Sequence, residues 1–216
     1  MQQCSSKLCQ KKQSLIKQQT IQSKYTPIKK FFIPLPIMCV QEVEINGHCF
    51  KIAVSDSRIE SIITALAEKI NKDYSGKEVV FLVVLNGAFM FAADLLRKIE
   101  GIHKVCFIRL STYEGTKSTG DYKEVIGITE NLENKDVVII EDIVDSGFTM
   151  GKLLERLKEM NVRSSEICTL TFKPNNFKGD YNVKYVGMNI GDEFIVGYGL
   201  DLDQKGRNLK GIYQKK

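Results

Sequence analysis

No apolar run in the 216 residues approaches the roughly 18 needed to cross a bilayer, so no membrane-spanning segment is predicted. There is no C-x-x-C pair: the six cysteines (Cys4, Cys9, Cys39, Cys49, Cys106 and Cys168) are scattered, and only His48 and His103 are available to join them. That argues against a zinc site, and a disulfide framework does not suit a chain this long. Cys106 and Cys168 read as small apolar residues packed in strands of a reduced, cytoplasmic protein.

The beginning of the chain lacks one sign of charge. No acidic residue precedes Glu42, and no arginine precedes Arg58. The missing arginines set this stretch apart from a transit peptide, and the long polar run before FFIPLPIM does not fit a secretory signal. Seven lysines (Lys7, Lys11, Lys12, Lys17, Lys24, Lys29 and Lys30) lie here, which leaves 24 basic against 26 acidic groups in the remainder. The formal charge of +5 therefore belongs to the tail; the body carries no general polyanion field, and neither nucleic acid nor membrane is expected as a partner. Residues 1–38, rich in Gln, Lys and Ser, are predicted to be a basic, disordered extension, and 39–216 one folded domain.

From residue 39 the pattern becomes periodic. Asn46-Gly47 between two alternating runs in VEINGHCFKIAV predicts a hairpin. Ser57 and Glu60 form a candidate capping box ahead of Ile59, Ile62, Ile63, Leu66 and Ile70, which recur at helical spacing. Val79 to Leu85, Val105 to Leu110, Val137 to Ile140 and Glu166 to Phe172 are rich in β-branched residues, as a parallel sheet buried on both faces requires. Helical patterns over 89–99 and 149–160 alternate with them, so the fold class is α/β, a doubly wound and mostly parallel sheet flanked by helices. Ligands of such sheets bind beyond the carboxyl ends of the strands.

One such end concentrates polar chemistry. After Val137 to Ile140 come Glu141, Asp142, Ile143, Val144, Asp145, Ser146, Gly147, Phe148 and Thr149, and then a helix. Free N–H groups and the helix dipole make Ser146 to Thr149 an anion site for one phosphate. Glu141 and Asp142 would repel a second phosphate but can accept hydrogen bonds from a sugar diol or from metal-bound water. Together the halves read as a ribose 5-phosphate cradle. A Walker A loop is excluded: three residues separate Gly147 from Gly151 where four are needed, and Leu153 follows Lys152 in place of Ser or Thr.

The stretch VVIIEDIVDSGFTM resembles the phosphoribosyl diphosphate (PRPP) signature of the type I phosphoribosyltransferases. Residues 83–96 (VVLNGAFMFAADLL), 108–121 (IRLSTYEGTKSTGD), 170–174 (LTFKP), 185–201 (YVGMNIGDEFIVGYGLD) and 206–209 (GRNL) resemble its hypoxanthine-guanine branch, in the family's order. The resemblance implies the family fold over 39–216, a central sheet with a small hood.

It also implies roles for individual residues. Glu141 and Asp142 would bind the ribose hydroxyls, and Ser146, Gly147, Phe148 and Thr149 the 5-phosphate. Asp145 would stand near purine N7 as catalytic acid-base, work worth roughly 10² to 10⁴ in rate. Asn86, Gly87 and Arg207 would contact pyrophosphate, and in the matching loop, Leu85-Asn86-Gly87, the family forms a cis bond between two non-proline residues. The family commonly has Lys at the position of Asn86, so a cationic contact is missing here. Lys173 would bond the purine 6-oxo group, Phe194 would stack on the base, and backbone near Glu193 and Ile195 would complete the pocket. Thr112 and Tyr113 belong to a lid. Asp201, with Glu141 and Asp142, would hold magnesium as the cofactor.

The expected function is purine salvage: PRPP and a 6-oxopurine give the nucleoside 5-monophosphate and pyrophosphate. By family analogy the enzyme forms a homo-oligomer, a dimer or tetramer. The competing expectations are a nucleic-acid-binding regulator built on the same fold, and an enzyme of that fold for another base.

Overall fold

A computed structural model describes residues 41–112 and 122–216. The predicted tail lies outside the described residues. The hairpin forms as expected: β1 (Glu42–Ile45) and β2 (His48–Val54) pair antiparallel across Asn46 and Gly47, which have φ of 52° and 77°, the signs that a tight two-residue turn demands.

Helix α1 (Asp56–Asp73) buries Ile59, Ile62, Ile63, Leu66 and Ile70, the residues whose spacing predicts it. Its start differs. Ser55, not Ser57, is the N-cap, accepting from the Arg58 N–H at 3.3 Å, so the helix begins two residues earlier than a Ser57–Glu60 box implies. Both serines satisfy the composition rule; only backbone geometry chooses between them.

Alternation then continues through β3 (Val79–Leu85), α2 (Phe89–Leu96), β4 (Lys104–Thr112), β5 (Tyr122–Ile126), β6 (Asp136–Val144), α3 (Phe148–Glu159), β7 (Ser164–Phe172) and β8 (Tyr185–Asn189). The main sheet has the order β5-β4-β3-β6-β7-β8, in which β5 is antiparallel and the other five strands are parallel. Two short strands, β9 (Ile195–Val196) and β10 (Ile212–Lys215), join the hairpin in a second, antiparallel sheet ordered β1-β2-β10-β9, which is the hood.

Helices α1 and α2 cover one face of the main sheet through Phe81, Val83, Val138, Ile140 and Leu170, and α3 covers the other through Val80, Leu82, Val137, Ile139 and Ile167. The expectation of burial on both faces fails at β4. Cys106 and Ile108 are buried, but Val105 and Phe107 are 40% and 49% exposed. They stand in register with Phe81 and Val83, on the α1/α2 face, and the helices cover the middle of the sheet but not this edge.

The order in which strands are added reverses between β3 and β6, which are themselves parallel: the next strand after β3 lies to one side of it, and β6 and its successors to the other. Loops leaving two such strands diverge and leave a crevice, so the loops after β3 and β6 flank the natural ligand position.

Candidate active site

Strand β6 runs further than its apolar stretch predicts. Pairing of Glu141 with Thr169, Ile143 with Thr171 and Val144 with Phe172 carries it to Val144, so Glu141 and Asp142 lie in the strand and not beyond it. Both carboxylates are buried. Burial and the adjacent Asp142 charge both push the Glu141 carboxyl well above its usual range. Burial raises Asp142 as well, while the Ile143 N–H and the Arg207 charge favour its ionised form.

The turn that follows is shaped for an anion. Gly147 has φ of 82° and caps α3 with no side-chain bond, and the Phe148 N–H reaches Ser146 Oγ at 3.4 Å. The start of α3 borders a cavity of about 190 Å³ lined by Glu141, Asp142, Asp145, Ser146, Gly147 and Thr149, and the N–H groups of a first helical turn have no partner within the helix. Phe148 itself is 51% exposed and does not line this cavity. A larger cavity of about 330 Å³ opens at the amino ends of β3 and β4, beside His103, far along the strands from these loops. Its His103 is already committed, with Nδ1 accepting from Val79 N–H and Nε2 bonded to the Glu100 carbonyl.

Asp145 joins the anion turn to a second group of residues. Its Oδ2 accepts from Lys173 Nζ at 3.0 Å and its Oδ1 from Asn176 Nδ2 at 3.0 Å. Lys173 is buried and also donates to the Asp192 carbonyl at 3.4 Å. Two residues beyond Asp192, Phe194 is 47% exposed, with its ring 6.4 Å from that of Phe50. About half of Phe194 is thus left open to solvent and not consumed by core packing. Glu193 is exposed and Ile195 buried in β9.

On the opposite side of the crevice, the Leu85–Asn86 peptide is cis, as the family resemblance implies. Gly87 packs against the Asp142 carboxylate, and its carbonyl oxygen lies against Gly199. Arg207 donates to the Gly199 carbonyl at 2.7 Å and pairs with Asp201 at 2.7 Å, so these two hood residues are brought together. Asp201 also accepts from the Gln204 N–H. Thr112 ends β4; Tyr113 lies outside the described residues.

Residues 54–203 match the family described as "Phosphoribosyl transferase domain". The chain belongs to this family. The hypoxanthine-guanine phosphoribosyltransferase of Staphylococcus aureus is 41% identical over 163 residues, which is 75% of this chain and 91% of that protein. The hypoxanthine phosphoribosyltransferase of Buchnera aphidicola is 41% identical over 168 residues, 76% of this chain and 95% of that one. Among solved structures, a Staphylococcus aureus hypoxanthine phosphoribosyltransferase superposes with a TM-score of 0.73 at 41% identity, covering 77% of this chain and 91% of that one. A Bacillus anthracis hypoxanthine-guanine phosphoribosyltransferase gives 0.73 at 39% identity, covering 76% and 97%.

Within this phosphoribosyltransferase fold, sequence reasoning missed the residues after Lys173. Asn176 bonds Asp145, the Lys178 N–H bonds the Ser146 carbonyl at 3.0 Å, and Tyr181 Oη donates to the Gly147 carbonyl. Phe177 and Tyr181 pack edge to face at 5.2 Å against Gly147. The segment 174–184 reads as a polar connector; its Phe and Tyr, isolated in that connector, were the one available signal.

Proposed function

We propose that the protein transfers the 5-phosphoribosyl group of PRPP to a 6-oxopurine, hypoxanthine or guanine, releasing pyrophosphate and the purine nucleoside 5-monophosphate in purine salvage. The observation that carries this reading is the buried Lys173 paired with Asp145, which itself lines the cavity at the Ser146–Thr149 turn. A cation that meets a 6-oxo group and a carboxylate that meets N7 are what a 6-oxopurine presents a use for. The 41% identity to relatives named for hypoxanthine and guanine supports the same substrate class.

In the reaction the bond from C1′ to the pyrophosphate oxygen breaks and the bond from C1′ to the purine nitrogen forms. Ser146, Gly147 and Thr149 hold the 5-phosphate, and Glu141 and Asp142 the ribose hydroxyls. Asp145 takes the N7 proton, leaving electron density for the ring nitrogen that attacks. Lys173 polarises the 6-oxo group, and Phe194 stacks on the base, worth roughly 1 to 3 kcal/mol. Asn86, Gly87 and Arg207 hold the departing pyrophosphate, where charge develops and where fixed donors contribute most. By the family resemblance, Thr112 and Tyr113 would belong to a lid that excludes water from the reaction centre.

Magnesium fits the donor set. Glu141, Asp142 and Asp201 offer only oxygen, and an ion held by one or two of them would complete its shell with water and substrate oxygens, as magnesium does. When bound it would neutralise charge on the pyrophosphate. We further propose a cytoplasmic homo-oligomer. The free thiols of Cys49, Cys106 and Cys168 suit a reducing compartment, and the open apolar edge at Val105 and Phe107 suits self-association.

The test is turnover with hypoxanthine, guanine and adenine, each with PRPP and magnesium, on the parent and on Asp145→Asn. The substitution should lower turnover with the 6-oxopurines by roughly 10² to 10⁴ and spare PRPP binding. Turnover within about threefold of the parent would remove Asp145 from the acid-base role.

A further inference from the structure

A carboxylate that collects a proton from a ring nitrogen must present one oxygen in a fixed direction. Lys173 cannot ensure this alone. Its ammonium sits on a flexible four-carbon stem, and one of its three donors points to Asp145, another to the Asp192 carbonyl. Among the described residues these are its two hydrogen-bond partners; a third donor can meet a 6-oxo group, and engaging it would pull the ammonium toward the substrate.

Asn176 grips the other oxygen. Its amide donates to Asp145 Oδ1 at 3.0 Å, and it belongs to a turn in which the Asn176 and Phe177 N–H groups both bond the Lys173 carbonyl at 3.2 Å. The same turn is tied to the phosphate loop by the Lys178 N–H on the Ser146 carbonyl. Asn176 is thus mounted on backbone that spans both loops of the site; the Lys173 backbone is fixed as well, its N–H bonding the Val144 carbonyl at 3.0 Å, but its ammonium stands at the end of the long stem. An amide is also neutral, so it orients the carboxylate without adding a second positive charge that would weaken it as a proton acceptor.

We propose that Asn176 is a positioning residue for the transfer reaction, holding Asp145 Oδ1 so that Oδ2 keeps its direction toward the purine while Lys173 engages the 6-oxo group. This rests on Asp145 acting as the acid-base group. Asn176 touches neither substrate; it acts through Asp145.

The experiment compares Asn176→Ala, Asn176→Asp and the parent for turnover and for KM of PRPP, with thermal unfolding of each, and repeats the alanine change in an Asp145→Ala background. Asn176→Ala should lower turnover roughly 10 to 10²-fold, the scale of a misplaced catalytic group, with KM for PRPP within about twofold. Asn176→Asp preserves shape and turn propensity but sets an anion against Asp145, so it should be worse than alanine. In the Asp145→Ala background the alanine change should cost less than about threefold, because the group it positions is gone. If Asn176 only stabilises the turn, Asn176→Asp will match or exceed the alanine variant in turnover, and the proposal is wrong. If Asp145→Ala itself retains the parent's turnover, the acid-base reading has failed. If Asp145→Ala is impaired while both Asn176 variants stay within about twofold of the parent, only the positioning role has failed.

Discussion

The Asp142 carboxylate fills the space where a side chain at position 87 would begin: an ideal Cβ on Gly87 would stand 1.7 Å from Asp142 Oδ2. The loop after β3 and the acidic end of β6 are therefore in direct contact, and the pyrophosphate and ribose ends of a bound PRPP would be read by one rigid unit.

Gly87→Ala should accordingly lower turnover by roughly 10² or more, since the methyl must displace either the loop or the carboxylate by about an ångström. Overpacking of this kind costs roughly 1 to 3 kcal/mol of stability, too little to unfold a typical domain. Steady-state kinetics beside thermal unfolding will separate the two effects. An alanine variant with the parent's turnover would mean that the loop is free to move away from Asp142.

On the proposed reading, Lys173 carries the choice of base. An ammonium has donors only and so meets a 6-oxo acceptor but not the 6-amino group of adenine, and sites of this type reject the mismatched analogue by about 10⁴ or more. The parent is expected to use hypoxanthine or guanine and not adenine. Lys173→Ala should lower the specificity constant for 6-oxopurines roughly 10 to 10²-fold, the worth of a hydrogen bond to a charged group, while PRPP binding persists. Comparable use of adenine by the parent would point instead to an enzyme for that base.

Asp136 opens β6 and supplies a pH-dependent contribution to stability. The Arg163 guanidinium bonds both its oxygens, and Ser164 Oγ adds a bond at 2.7 Å, holding the carboxyl below its usual range. A carboxyl depressed in the folded state stabilises fully above its unfolded pKa, near 4, and loses that contribution as pH falls toward the folded value. Arg163 is 58% exposed, which weakens the pair. Asp136→Asn should therefore cost about 1 to 3 kcal/mol at pH 7, with the gap to the parent narrowing below about pH 4. Urea unfolding at pH 7, 5 and 3.5 measures it; a gap that stays constant across this range would mean that the charge plays no part.

Deleting residues 1–37 should leave turnover and the unfolding midpoint nearly unchanged. That stretch has no apolar period to bury, and the family match begins only at residue 54. Loss of most activity, or failure to fold, would show that the extension is structural.

Periodicity along the chain was enough to determine the α/β class, the hairpin at Asn46-Gly47, the central strands and the turn into α3 at Ser146 to Thr149. Each depends on residues within a few positions of one another, where apolar spacing and turn chemistry act directly. The motifs likewise identified Asp145 and Lys173. What they do to each other was not legible, because the bond between them joins residues 28 apart and exists only once β6 and β7 lie side by side. Asn176 on Asp145, Gly87 on Asp142 and Arg207 on Gly199 have the same character. The open face of β4 also had to wait for the fold. An apolar run states that a strand can be buried on both sides; whether it is depends on where the helices end, and α1 and α2 stop covering the sheet before they reach Val105 and Phe107.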